Sequence, residues 1–455
     1  MTTKGIKRLS IGYILMFIEI LLLFHYQGAK NPFSLIFGSL TAQSNPALYY
    51  IGLYLIGAAG LALAIWGGID YKKSTPKASV PKDLNKSVDM YRDSKGREYF
   101  YDNAKFILIF LVVLAHAISP FKDMNGFWLK GEFMLLWRAI NTMHMPCLIF
   151  ISGFLAKKYI RPDGSINVQR PFTYIVYYLA AQFTVGAFEV FVLGDSISKS
   201  VLAPRSSLWF LVCLIWWYLL LPVVEKIDPK KMLVIAVLAG LLIGYDEKVS
   251  NLMAMSRMIV HFPFFLTGYY LSAGKMQFVF TKKAKLLAIP AFLVSMLTQV
   301  GTLYLTGSGK ALNFSINGFI TCDRSYFAIF KNTDINPVFW LLPRIWFYLC
   351  AALLCFAFLA WMPKRKTFFT FLGARTLSVY ILHRYLYLAY LEFNWHTFDF
   401  LPFEVSDTMA SILMIVISAV LTIVLSLKPF YMPFELLGRI KVKPFLKKPK
   451  EISAK

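Results

Sequence analysis

Lys105 and His116 are the two residues whose types and spacing most suggest chemistry. Both lie in the stretch YDNAKFILIFLVVLAHAISP, eleven positions apart. Eleven steps of ~100° return to within about 20° of the starting direction, so one helical face carries both side chains. Their separation along the axis is ~16 Å, about half the thickness of a hydrocarbon core. With the lysine at the cytoplasmic boundary, the imidazole reaches the midplane or just beyond it. An ionisable group at that depth is costly and faces a cavity or a polar partner. A cation at a cytoplasmic mouth and an imidazole deep inside suit an anionic donor entering from the cytosol. The plainer alternative is a histidine that only bridges two helices by hydrogen bonds.

The elements that must position this pair are membrane helices. The 455 residues are 58% hydrophobic and 16% charged, with mean hydropathy +0.58. Ordinary soluble domains are about half apolar and about a quarter charged. Apolar runs long enough to cross a ~30 Å hydrocarbon core recur along the chain, which excludes a soluble protein. Aromatic residues make up 17%, as expected where Trp and Tyr anchor helix ends at the headgroups. The formal charge of +24 does not indicate a nucleic-acid binder, because Lys and Arg sit in short loops and at the tail. Cys147, Cys213, Cys322, Cys350 and Cys355 contain no CxxC pair and read as small core residues, with neither a metal site nor a disulfide framework.

Hydropathy predicts an all-α integral membrane protein of about twelve spans. Two occupy residues 1–69, a polar cytoplasmic linker follows at 70–101, and ten form a core at 102–427. A basic, proline-interrupted segment, 428–455, reads as a leaflet-binding cytoplasmic tail. The first run, Ile11 to Tyr26, lacks a small-residue cleavage site and carries Glu19 at its centre, so it reads as a retained helix. With alternating spans and both termini inside, cytoplasmic segments hold 34 of the 48 Lys and Arg, outer loops 10 and the spans 4. Every cytoplasmic segment has at least three, as the positive-inside rule requires. No internal repeat is visible, which weakens a transporter built from two related halves.

Five motifs, in order, resemble the acyltransferase-3 family of membrane-bound acyltransferases. DNAKFILIFLVVLAHA, with Asp102, Lys105 and His116, resembles its opening helix, in which a basic residue precedes histidine by eleven positions. Arginine is the commoner basic residue there; lysine occurs in members resembling fucose 4-O-acetylases. HMPCLIFISGFL supplies His144 and Ser152, SSLWFLVCL supplies Trp209, SRMIVHFPFFLTGYYL supplies Arg257, and LGARTLSVYILH supplies Tyr380 and His383. The resemblance runs from about Tyr101 to Leu427.

The resemblance implies transfer of an acyl group, most often acetyl from acetyl-CoA, to a carbohydrate hydroxyl. His116 would take the hydroxyl proton or hold the acetyl group covalently. Lys105, oriented by Asp102 three residues earlier, would bind the donor, and Arg257 would contact it or steady a polar network. His144, Ser152, Trp209, Tyr380 and His383 form a candidate substrate pocket. Each has a structural alternative. His144 precedes a proline and reads as positioning a helix start. Ser152 reads as a close-packing residue, Trp209 as a pocket wall or interfacial aromatic, and His383 as a hydrogen-bonded structural histidine. His261 matches no family motif and reads as packing. Glu19 and Glu189 are intramembrane acids, best read as internally paired. Gly194, Asp195 and Ser196 resemble the nucleophile block of SGNH esterases, but are assigned to a short outer loop.

The expected protein is therefore a carbohydrate O-acetyltransferase of the bacterial cytoplasmic membrane, with acetyl-CoA, a glycan acceptor and membrane lipid as partners, no metal and no nucleic acid. A glycan or lipid-linked-sugar flippase and a succinyl-CoA-using transferase are the rival readings. The sequence leaves the oligomeric state open. The topology has a direct check. Single cysteines at Lys199 and Lys248 should react with a membrane-impermeant thiol reagent in intact cells, whereas those at Lys230 and Lys366 should react only after permeabilisation.

Overall fold

A computed structural model describes residues 98–122 and 132–442, apart from 162–163, 192, 194–200, 248–251, 308–309, 393–404 and 406, together with a few isolated positions before residue 98. The expected first two spans with Glu19, nearly all of the linker, the Asp195–Ser196 block and the end of the tail lie outside the described residues. The chain divides into two compact units. The smaller comprises residues 1–84 and 158–168, and its described part is a tight turn in which Asn167 donates to the Tyr159 carbonyl at 2.9 Å. The larger unit comprises residues 85–157 and 169–455 and holds the candidate functional residues.

This larger unit is helical throughout its described regular structure. Its long helices are α1 (Tyr99–Ile118), α2 (Glu132–Ala156), α3 (Gln169–Phe191), α4 (Trp209–Val224), α5 (Pro229–Leu242) and α6 (Met255–Tyr270). They continue with α7 (Lys282–Leu305), α8 (Leu342–Trp361), α9 (Thr376–Glu392), α10 (Asp407–Leu425) and the shorter α11 (Lys428–Gly438). Each of the ten core spans expected from hydropathy overlaps one of α1 to α10. Four stretches are long and apolar enough by themselves to cross a membrane: Tyr99–Ile118, Met134–Ala156, Lys282–Leu305 and Pro337–Trp361. A fifth is the pair α10–α11, bent by 51° at its break. The remaining helices are shorter or interrupted by polar side chains. The fold is thus all-α and of membrane type. The segment expected to form the basic tail opens, from Lys428, with α11, which packs on α3: Tyr177 donates to the Phe434 carbonyl at 3.1 Å.

Local sequence sets several helix starts. Asp228 accepts from the Lys230 and Lys231 backbone N–H groups at 3.1 Å with Pro229 in the first turn, and Thr281 caps α7 through the Ala284 N–H. Before α6, Met253 and Ala254 adopt left-handed φ of 49° and 54°, so the chain turns sharply into the helix that carries Arg257 and His261.

Two close approaches organise the bundle. α2 and α6 share its most extensive helix interface. They cross where Gly153 meets the Phe265 carbonyl and Gly268 meets the Phe150 carbonyl, and an added Cβ at either glycine would overlap that oxygen. Small residues let helix backbones approach this closely. α1 is the central helix, packed on α2, α9 and α10. Its start is pinned by Asn103, whose Nδ2 donates to the carbonyls of Pro363 (2.8 Å) and Arg365 (2.9 Å) while its Oδ1 accepts from Thr367 (3.0 Å) and Thr370 (2.6 Å). Gly373 lies so close to the Asp102 carbonyl that no Cβ fits between them.

Gly268→Ala should lower stability in detergent by about 1–3 kcal/mol, the usual cost of overpacking. Gly274→Ala, which meets nothing within 4 Å, should leave it unchanged or slightly raised. Thermal unfolding monitored by tryptophan fluorescence compares the two.

Candidate active site

The α2–α6 crossing places the chemistry. His144 stands nine residues before Gly153 on α2, and His261 and Arg257 stand seven and eleven before Gly268 on α6. At ~1.5 Å per residue, all three lie ~10–17 Å from the crossing and come level with one another. α1 brings His116 to the same level, and the starts of α4 and α9 add Trp209 and Tyr380. Together they surround a cavity of about 190 Å³, completed by Trp137, Asn141, Ser207 and Thr321.

The imidazoles are oriented by their own helices. His144 Nδ1 lies 2.6 Å from the Ile140 carbonyl, His261 Nδ1 2.9 Å from that of Arg257, and His383 Nδ1 2.9 Å from that of Val379. A carbonyl oxygen only accepts, so each Nδ1 donates and each neutral ring carries its lone pair on Nε2. His116 packs against His383 (ring centroids 5.2 Å) and Tyr387 (5.0 Å), and it is half-buried. All four histidines among the described residues therefore converge on one level of the bundle.

The cavity is closed by a short helical turn, Asn317–Thr321, and the two residues after it, held by side chains from three helices. From α6, Arg257 donates from Nε to the Thr321 carbonyl (3.0 Å) and pairs through Nη2 with Asp323 (2.7 Å); Ser256 donates to the Cys322 carbonyl (2.9 Å). From α8, Arg344 donates to the Phe319 carbonyl (2.7 Å) and stands over the rings of Phe319, Tyr326 and Phe347. From α2, Arg138 donates to Asn317 Oδ1 at 3.0 Å. Cys322 takes a left-handed φ of 57°, which turns the chain away after the cavity wall. Trp209 lies under Arg257 at 5.2 Å and against the His261 ring at 5.4 Å, so one indole contacts both.

Of the candidates expected from sequence, His116, His144, Trp209, Arg257 and Tyr380 line this cavity. Tyr380 also ties α9 to the turn before α4 by donating to the Ser207 carbonyl. His383 does not line it but packs behind His116, where both face a second cavity. Lys105 and Asp102 are elsewhere. They pair at 2.8 Å nearer the start of α1, several turns from His116. Ser152 bonds the Leu148 carbonyl at 2.8 Å beside the glycine crossing and does not line the cavity. One expectation needs correction. His144 does not begin a helix, because α2 starts at Glu132 and runs through Pro146, leaving the histidine in mid-helix with its ring aimed inward.

His261, whose sequence context suggests packing, is a cavity residue. Its spacing of four from Arg257 would have placed both on one face. Asp323, which orients Arg257, comes from a distant loop and left no local signal. Glu189 pairs internally with Arg205, and Arg384 approaches its other oxygen at 3.9 Å. The five cysteines are buried and free.

The structure is an all-α membrane-type bundle that gathers imidazoles, a guanidinium and an indole around one cavity. Residues 98–428 match the family model described as an acyltransferase domain, that of acyltransferase-3. The match covers most of the chain, so the chain belongs to this family and is a membrane acyltransferase. No curated protein and no solved structure matches it.

Removing Arg257 should free the Asn317–Asp323 turn. In a double-mutant cycle, Arg257→Ala and Asp323→Ala should couple by roughly 1–3 kcal/mol in unfolding free energy. Arg257→Ala with Arg439→Ala, which lies in the exposed Arg439–Glu435 pair, should be additive.

Proposed function

We propose that the chain transfers an acetyl group from cytosolic acetyl-CoA to a sugar hydroxyl of a cell-surface polysaccharide or a lipid-linked glycan precursor, in a bacterial cytoplasmic membrane. The observation that carries this reading is the convergence of His116, His144 and His261 on one polar cavity. Acyl transfer to an alcohol needs a base for the hydroxyl proton and donors for the oxyanion that forms. The imidazole Nε2 atoms at the cavity suit the first of these tasks.

In the direct route, the acceptor oxygen attacks the thioester carbonyl while His116 takes its proton. The C–S bond then breaks, and the imidazolium returns the proton to the departing thiolate. In the covalent route, His116 attacks first, the thiol leaves, and the acceptor hydroxyl then displaces the imidazole. Both routes give the same ester and free CoA. The cavity lies at the C-terminal end of α1 and near the starts of α2, α4 and α6. This is the end opposite the basic loops, a position that suits an acceptor on the outer face. Lys105, held by Asp102 toward the other end of α1, suits the phosphates of a donor arriving from the cytosol. Arg257 is committed to the Thr321 carbonyl and Asp323, so its role in this reading is to hold the acceptor side closed.

The test is label transfer in isolated membranes, with isotope-labelled acetyl-CoA and endogenous glycan. His116→Ala should lower alkali-labile O-acetyl label by about 10²–10⁴-fold. Lys105→Ala should raise the KM for acetyl-CoA with a smaller effect on kcat. No transfer from acetyl-CoA or succinyl-CoA to an established acceptor would overturn the reading in favour of transport. Transfer from succinyl-CoA alone would overturn only the donor.

A further inference from the structure

Behind His116, away from the polar cavity, α1, α9 and α10 enclose a second cavity of about 260 Å³. Its walls are mostly apolar, with Leu386, Met414, Ile417 and Leu421 contributing. Ile417 also belongs to the exposed apolar stripe of α10, together with Val416 and Val420. In a membrane helix such a stripe faces lipid, so the cavity borders hydrocarbon on its α10 side. A purely greasy cavity there would need no occupant beyond a lipid tail. Two polar atoms set this one apart. His383 Nε2 and Ser418 Oγ are buried without hydrogen-bond partners, and both residues line it. His383 is 3% exposed and Ser418 1%. Because His383 Nδ1 donates to Val379, its Nε2 lone pair is left for a donor from outside the protein. An unsatisfied buried acceptor costs free energy, which a ligand hydroxyl would recover.

We infer that this cavity binds the hydrocarbon of a membrane-borne acceptor entering between α9 and α10, and that His383 Nε2 takes a hydrogen bond from a hydroxyl of its headgroup. The inference rests on the acyl-transfer reading and names the class of acceptor that site takes. His116 forms the wall between the two cavities. A headgroup anchored at His383 would thus present its hydroxyls to His116, whose ring centroid is 5.2 Å from that of His383. The chain stays in lipid while the polar head turns into the site. An acyl chain carried by the donor would fit the apolar walls equally well. It has no hydroxyl for His383, which decides for the acceptor.

Photo-cross-linking tests this without turnover, so its outcome is independent of whether acyl transfer is detected. The full-length protein in nanodiscs is irradiated with a long-chain alkyl glucoside carrying a diazirine in the chain. Three probes with the same diazirine serve as comparisons: the per-O-methylated glucoside, a phosphatidylcholine and a long-chain acyl-CoA. The glucoside should label α9 and α10 peptides around Leu386 and Met414, and unlabelled alkyl glucoside should compete. The methylated analogue should bind about tenfold more weakly, the worth of one buried hydrogen bond. His383→Ala should abolish that preference. Met414→Trp and Ser418→Phe, which fill the cavity from two sites, should each abolish saturable labelling; retained phosphatidylcholine labelling elsewhere reports a folded chain. Non-saturable labelling equal to that of phosphatidylcholine would mean bulk lipid only and overturn the inference. Saturable labelling of these peptides by the acyl-CoA probe alone would overturn it by assigning the cavity to the donor.

Discussion

The arginine-held turn at Asn317–Asp323 is the contact on which the site depends. This segment is a single helical turn, Asn317–Thr321, with two residues beyond it, and Phe319, Ile320 and Cys322 are almost fully enclosed. The last carbonyls of a helix have no partner within it, and when buried in a membrane protein they must find donors other than water. Arg344, Arg257 and Ser256 donate to three of its carbonyls, those of Phe319, Thr321 and Cys322. The guanidiniums gain in turn, from Asp323 in one case and from three aromatic faces in the other. Positive charge buried beside the cavity is thereby fixed in position. The same side chains close one wall of the cavity and set its electrostatics.

The glycine crossing of α2 and α6 supplies the complementary constraint. Two helices in backbone contact at Gly153 and Gly268 run together for about two to three turns from there to His144, His261 and Arg257. Their relative height is then set by backbone geometry, not by flexible side chains. α1 is pinned at its other end by Asn103 and by the close approach of Gly373 to Asp102. Motif glycines and asparagines far from the cavity thus control where its imidazoles stand.

Much of this was legible in the residues themselves. The ten apolar runs of the core each overlap a helix, and four stretches are long and apolar enough by themselves to cross a membrane. Lys105 and His116 share a helix, so their separation followed from pitch alone, and their division between two ends of α1 was expected. Glu189 found internal partners, as a buried acid must. The motif residues His144, Trp209, Arg257 and Tyr380 reached the cavity with His116. Ser152 did not, since its hydroxyl is spent on the Leu148 carbonyl within its own helix. His144 was misplaced relative to its helix start because Pro146 reads as a boundary, whereas α2 continues through it with neighbouring helices packed around.

By itself, the sequence determined the class of protein, the helices of its core and the family motifs, since each rests on composition or on spacing within one segment. The tertiary structure alone decided that His261 joins the cavity, that Asp323 orients Arg257, and that His116 has a polar cavity on one side and an apolar one on the other. Those are relations between residues tens to hundreds of positions apart. They depend on how helices cross and on which loop carbonyls a guanidinium can reach, and no periodicity within a single helix encodes them.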